Sequence, residues 1–156
     1  MILELIDSQD EEKLDLKRLQ AICNYISKKF DSDNTRVINI IFIDDKKMKD
    51  MNREYRNING TTDVLSFSYL EESISQEQAG KQNIIGEVYI SPAAAMKNSS
   101  QQEEQWSFEL EIVLLIIHGI LHIFGYDHES DEEKAEMHNI QDSLVYDMQG
   151  KDWNRY

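Results

Sequence analysis

Apolar positions along this chain recur with two periods, about 2 and about 3.6, and the switches between them mark the elements. Met1 to Asp7 alternates weakly and predicts a first strand. Leu14 to Phe30 carries Leu19, Ile22, Cys23, Ile26 and Phe30 at helical spacing, and Asp31 to Thr35 is a polar turn. Arg36 to Ile43 is rich in β-branched residues and reads as a buried strand. Asp44 or Asp45 caps the next helix, with Met48, Met51 and Tyr55 as its inward stripe. Asn57 to Thr62 is a loop, and Val64 to Leu70 alternates as a third strand.

Glu71 to Asn83 is polar and is the best candidate for a mobile loop; strand character resumes from Ile84 to Ser91. The third and fourth strands are then expected to pair antiparallel. Ser91-Pro92 is a helix start, weakening at Asn98 to Gln102. From about Gln105 a long helix, apolar almost all round, runs to Gly125, and apolarity on every side predicts burial. Ser130 to Glu133 is a capping box opening a last helix with Met137, Ile140, Leu144 and Met148 on one face. The order β-α-β-α-β-β-α-α-α predicts an α+β fold. A single domain over residues 1–156 is expected, with a small mixed sheet packed against helices and a buried central helix.

Length suits one core. The formal net charge of −14 argues against a general binder of nucleic acid or anionic membranes, which wants a basic field, and leaves room only for a local basic patch. One cysteine, Cys23, excludes an internal disulfide and fits a reducing compartment. No secretory signal or membrane span is evident, so a soluble, cytoplasmic protein is expected.

Three of the four histidines fall in eleven residues, at His118, His122 and His128. His118 and His122 are four apart, so a helix projects both imidazoles from one face. Gly125 offers a helix stop, past which the chain can double back and bring His128 to the pair. Three neutral imidazoles make a zinc set with an open position, one zinc ion per chain. The bland alternative is a structural histidine cluster, but two imidazoles on a buried helix need partners and a metal supplies them. The spacing matches the second half of the His-Glu-x-x-His-x-x-Gly-x-x-His protease pattern, while Gly119 stands where that pattern has its general-base glutamate.

The His118–His128 segment resembles the signature of the bacterial YbeY family, zinc-dependent endoribonucleases of ribosomal RNA maturation and ribosome quality control. Asn52-Arg-Glu-Tyr-Arg56 with Thr62-Asp-Val-Leu-Ser-Phe67 is similar to the family's second signature, and Ile85-Gly-Glu-Val-Tyr-Ile-Ser91 to its third. The resemblance implies a mixed four-stranded sheet, His118, His122 and His128 as zinc ligands, and Arg56 as a residue needed for activity. It also implies RNA, as ribosomal RNA or ribosomal particles, as the partner. Ser68 replaces the family's usual Pro, and Glu87 its usual Asp.

Arg56 can clamp a phosphate with its planar fork; the alternative is a surface salt bridge with a neighbouring acid. Asp127 either orients a ligand imidazole, acts as a base, or serves as a turn carboxylate. His138 reads as a surface residue, and Phe124 and Tyr126 as packing. Glu129, Asp131, Glu132, Glu133 and Glu136 crowd the far side of the motif and would repel RNA, so either RNA approaches from the Arg53 and Arg56 side or the partner is a ribosomal particle with protein surfaces of its own. Two other functions fit the same residues: a zinc hydrolase of peptide or amide bonds, and a non-catalytic ribosome-assembly factor with structural zinc.

Overall fold

The computed structural model describes residues 1–70, 82–126, 130–151 and 153. The expected mobile loop falls almost wholly at 71–81, outside the described residues. Among the described residues nine elements follow in the expected order: β1 (Ile2–Ser8), α1 (Leu16–Phe30), β2 (Arg36–Ile43), α2 (Asp45–Arg56), β3 (Val64–Ser68), β4 (Asn83–Ile90), α3 (Pro92–Ser100), α4 (Phe108–Ile123) and α5 (Asp131–Met148).

Every helix starts at a side-chain cap that accepts a backbone N–H, as the orphaned donors of a first turn require. Asp15, Asp44, Ser91, Ser107 and Ser130 fill these positions. Of the two aspartates proposed ahead of α2, Asp44 is the one that caps. The Ser107 cap sets the start of α4 at Phe108, two to three residues later than the apolar pattern suggested.

The four strands form one sheet in the order β1-β2-β4-β3. β1 pairs with β2 and β2 with β4 in parallel, and β3 closes the edge antiparallel to β4. Alternation then gives the sheet two faces. Ile38, Ile40 and Phe42 of β2, with Val88 and Ile90 of β4, join α1 and α4 in the main core. Ile41 and Ile43, with Leu65 and Phe67, meet Met48 and Met51 of α2 in a smaller cluster. Tyr55 departs from its expected inward place: it is 58 % exposed and lies edge-on against Phe67 at 5.2 Å.

α4 is buried as its apolarity predicted. Ile112, Ile116, Ile117, Ile120 and Leu121 are fully enclosed, each such burial contributing about 1.5–3 kcal/mol. Its close seat on the sheet depends on two glycines. A Cβ on Gly119 would lie 2.5 Å from a Val88 methyl carbon, and one on Gly86 would lie 2.6 Å from Ile123 Cδ1. No described helix is long and apolar enough to cross a membrane.

Candidate active site

α4 ends in a Schellman turn. Gly125 takes φ 94°, its N–H donates to the His122 carbonyl at 3.0 Å, and the Tyr126 N–H donates to the Leu121 carbonyl at 3.0 Å. The Ser68 hydroxyl donates to the Ile123 carbonyl at 2.9 Å, tying the end of β3 to the end of α4. The last turn of α4, which carries His122, is therefore held on two sides.

His118 and His122 are both half-buried, and their Nε2 atoms lie 3.0 Å apart. Gln141 of α5 sets the tautomer: its Oε1 can only accept, so His118 Nδ1 at 3.3 Å is the donor and Nε2 keeps its lone pair. Without a cation, one proton must bridge the two Nε2 atoms. Two nitrogens each about 2.0–2.1 Å from a tetrahedral zinc sit roughly 3.3 Å apart. The pair thus has the donor type that zinc requires and lies within about 0.3 Å of its spacing. His128 and Asp127 fall at 127–129, outside the described residues, and among the described residues there is no group of three metal-ligating side chains.

The two imidazoles face a cleft of about 420 Å³ that is also lined by Arg56, Thr62, Asp63 and Ser66. Arg56 reaches this cleft from the last residue of α2. Asn57 follows in the left-handed region at φ 55°, and the buried Asn52 side chain donates to the Gly60 carbonyl at 2.9 Å. The Asn52 amide therefore pins the loop that turns the chain from Arg56 to β3. Arg56 is exposed and makes no ion pair among the described residues, so the salt-bridge alternative has no partner there. Arg53, by contrast, is paired with Asp50 at 3.3 Å.

The position after His118 points at β4, where Val88 leaves no room for a Cβ, still less for a glutamate. The peptide-hydrolase alternative thereby loses the glutamate base that its pattern places after the first histidine. Phe124 and Tyr126 are half-buried against the core, with Phe124 stacked on Phe30 at 6.2 Å, in keeping with a packing role. His138 is exposed.

The sequence pattern gave no role to Asp63, which lines the cleft, or to Gln141, which touches the His118 ring. Asp63 sat inside a recognised motif without a role. Gln141 lies four residues from both Met137 and Val145, and a polar residue on an apolar helical stripe was the available signal.

Fold and cleft together define a small α+β domain whose buried helix presents paired imidazoles beside an arginine. The sequence model of the family described as Endoribonuclease YbeY matches residues 4–149, and the chain belongs to that family. The chain is 32 % identical to the endoribonuclease YbeY of Ureaplasma urealyticum over 148 residues, 95 % of this chain and 90 % of that one. It is 30 % identical to the endoribonuclease YbeY of Clostridioides difficile, over 93 % and 95 % of the two chains. The solution structure of TM1509 from Thermotoga maritima superposes with a TM-score of 0.64 at 29 % identity, covering 96 % of this chain and 90 % of that one.

Proposed function

We propose that this chain is an endoribonuclease that cleaves RNA phosphodiester bonds in ribosomal RNA maturation and ribosome quality control. In this reading it works in the cytoplasm with one zinc ion held by His118, His122 and His128. The observation that carries the reading is the convergence of the two Nε2 atoms at 3.0 Å in the cleft that Arg56 enters without an ion-pair partner among the described residues. Family membership supplies the bond class.

A bound zinc supplies Lewis acidity, polarising a phosphoryl oxygen and acidifying a water. The chain's own part is positional. Gln141 holds the His118 ring with its Nε2 lone pair turned to the cleft. Arg56 binds two phosphate oxygens with parallel N–H donors and neutralises charge that grows on them. The acidic first turn of α5, Asp131, Glu132 and Glu133, is exposed and takes no part in lining the cleft. RNA therefore approaches over the α2 side, from which Arg56 enters the cleft.

The test is Arg56→Ala. RNA cleavage should fall about 100-fold or more while zinc content stays at the wild-type level. A variant that cleaves as fast as wild type with the same zinc would overturn the role of Arg56.

A further inference from the structure

Asp63, just ahead of β3, is the one carboxylate among the described residues lining the histidine cleft. It is held with care. Its backbone carbonyl accepts from the Ser91 N–H at 2.9 Å, and its Oδ2 accepts from Asn98 Nδ2 at 3.0 Å. The same amide nitrogen reaches Glu111 Oε1 at 3.4 Å. Glu111, only 6 % exposed, also accepts from Trp106 Nε1 at 2.6 Å. A chain of polar contacts thus runs from Trp106 through Glu111 and Asn98 to the cleft.

A carboxyl group as enclosed as Glu111 is costly unless its oxygens are satisfied, and here both are. The arrangement fixes the Asn98 amide between α3 and α4, and the amide in turn fixes Asp63. Asp63 Oδ1 accepts no hydrogen bond among the described residues. Metal-assisted hydrolysis also needs a group to take the nucleophile's proton. At Gly119, where the related protease pattern places that group, Val88 fills the space.

We infer that Asp63 is the general base of this site, with Asn98 as its positioning residue and Glu111 fixing Asn98. The inference rests on the RNA-cleaving reading above. In the step, the attacking hydroxyl oxygen forms a bond to phosphorus and its proton passes to Asp63 Oδ1. The bond from phosphorus to the leaving ribose oxygen breaks with its electron pair. That oxygen then takes the proton from the Asp63 carboxylic acid, which restores the carboxylate.

The experiment uses the zinc-loaded full chain with a ribosomal RNA fragment as probe, following kcat, KM, zinc content and thermal unfolding together. Asp63→Asn should lower kcat by about 100- to 10,000-fold. Zinc content, KM and the unfolding temperature should stay near wild type. Asp63→Ala should regain part of its rate on addition of formate, a small carboxylate that can occupy the vacated space. Asn98→Ala should lower kcat about 10-fold in the wild-type background and have no further effect in the Asp63→Asn background, since residues acting as one unit are non-additive. Asp63→Asn cleaving within threefold of wild type would overturn the inference and leave the RNA-cleaving reading intact. Loss of zinc from Asp63→Asn would overturn it too, because Asp63 would then act through the metal site. A zinc-loaded wild type that cleaves no RNA would sink both.

Discussion

Gly119 of α4 and Val88 of β4 approach so closely that a Cβ on the glycine would stand 2.5 and 2.8 Å from the two Val88 methyl carbons. Val88 is fully buried and β-branched, so it has little room to yield. The contact seats the histidine helix on the sheet and removes the place for a glutamate after His118.

Gly119→Ala is expected to destabilise the fold. Alanine improves helix propensity by about 1 kcal/mol, but overpacking a tight core costs typically 1–3 kcal/mol. Urea unfolding should show a net loss of up to about 2 kcal/mol. The double variant Gly119→Ala/Val88→Ala should show favourable coupling, because the small side chain at 88 makes room for the added methyl. Strict additivity of the two changes would argue against the contact.

Ser68→Ala removes the hydroxyl that donates to the Ile123 carbonyl at the end of α4. One such hydrogen bond is worth about 0.5–1.5 kcal/mol, so the midpoint of thermal unfolding should drop by about 1–6 °C. Zinc content should not change, since the serine touches neither imidazole ring. An unchanged midpoint would show that β3 and α4 do not depend on this tie.

Gln141→Leu keeps the volume on α5 but removes the acceptor at 3.3 Å from His118 Nδ1. The ring is then free to adopt the wrong tautomer, and zinc affinity measured by chelator competition should fall about 10- to 100-fold. Undiminished affinity would mean that the His118 ring is held by other contacts.

Cys23 is fully buried in α1, and burial alone pushes its thiol up to about 12. At pH 8 only on the order of one thiol in ten thousand is the reactive thiolate. Native protein should resist alkylation by iodoacetamide, and the urea-unfolded chain should react fully. Rapid labelling of the native protein would contradict the packing role.

Much of this architecture was legible from patterning, because the periods of burial are local: all nine elements and the antiparallel β3–β4 pair follow from spacing. Histidines four apart on an apolar helix also announced themselves. The strand order did not, since placing β4 between β2 and β3 depends on long-range pairing that periodicity does not encode. The Tyr55 ring fits a helical stripe by spacing, yet α2 covers only a small patch of the sheet and leaves it exposed. The burial of Glu111 was hidden for a related reason. A carboxyl on an apolar helix reads as solvent-facing until its partners, Trp106 and Asn98, are brought to it by the turn between α3 and α4.

The central claim is a zinc centre built on the convergent imidazoles of α4 and His128. Its most direct test is metal content by plasma emission spectroscopy on untagged protein, wild type beside His122→Ala. The account predicts about one zinc per wild-type chain and close to none in the variant. Wild-type protein that carries no zinc and takes none up from solution would contradict it, leaving a half-buried histidine pair that packs without a metal.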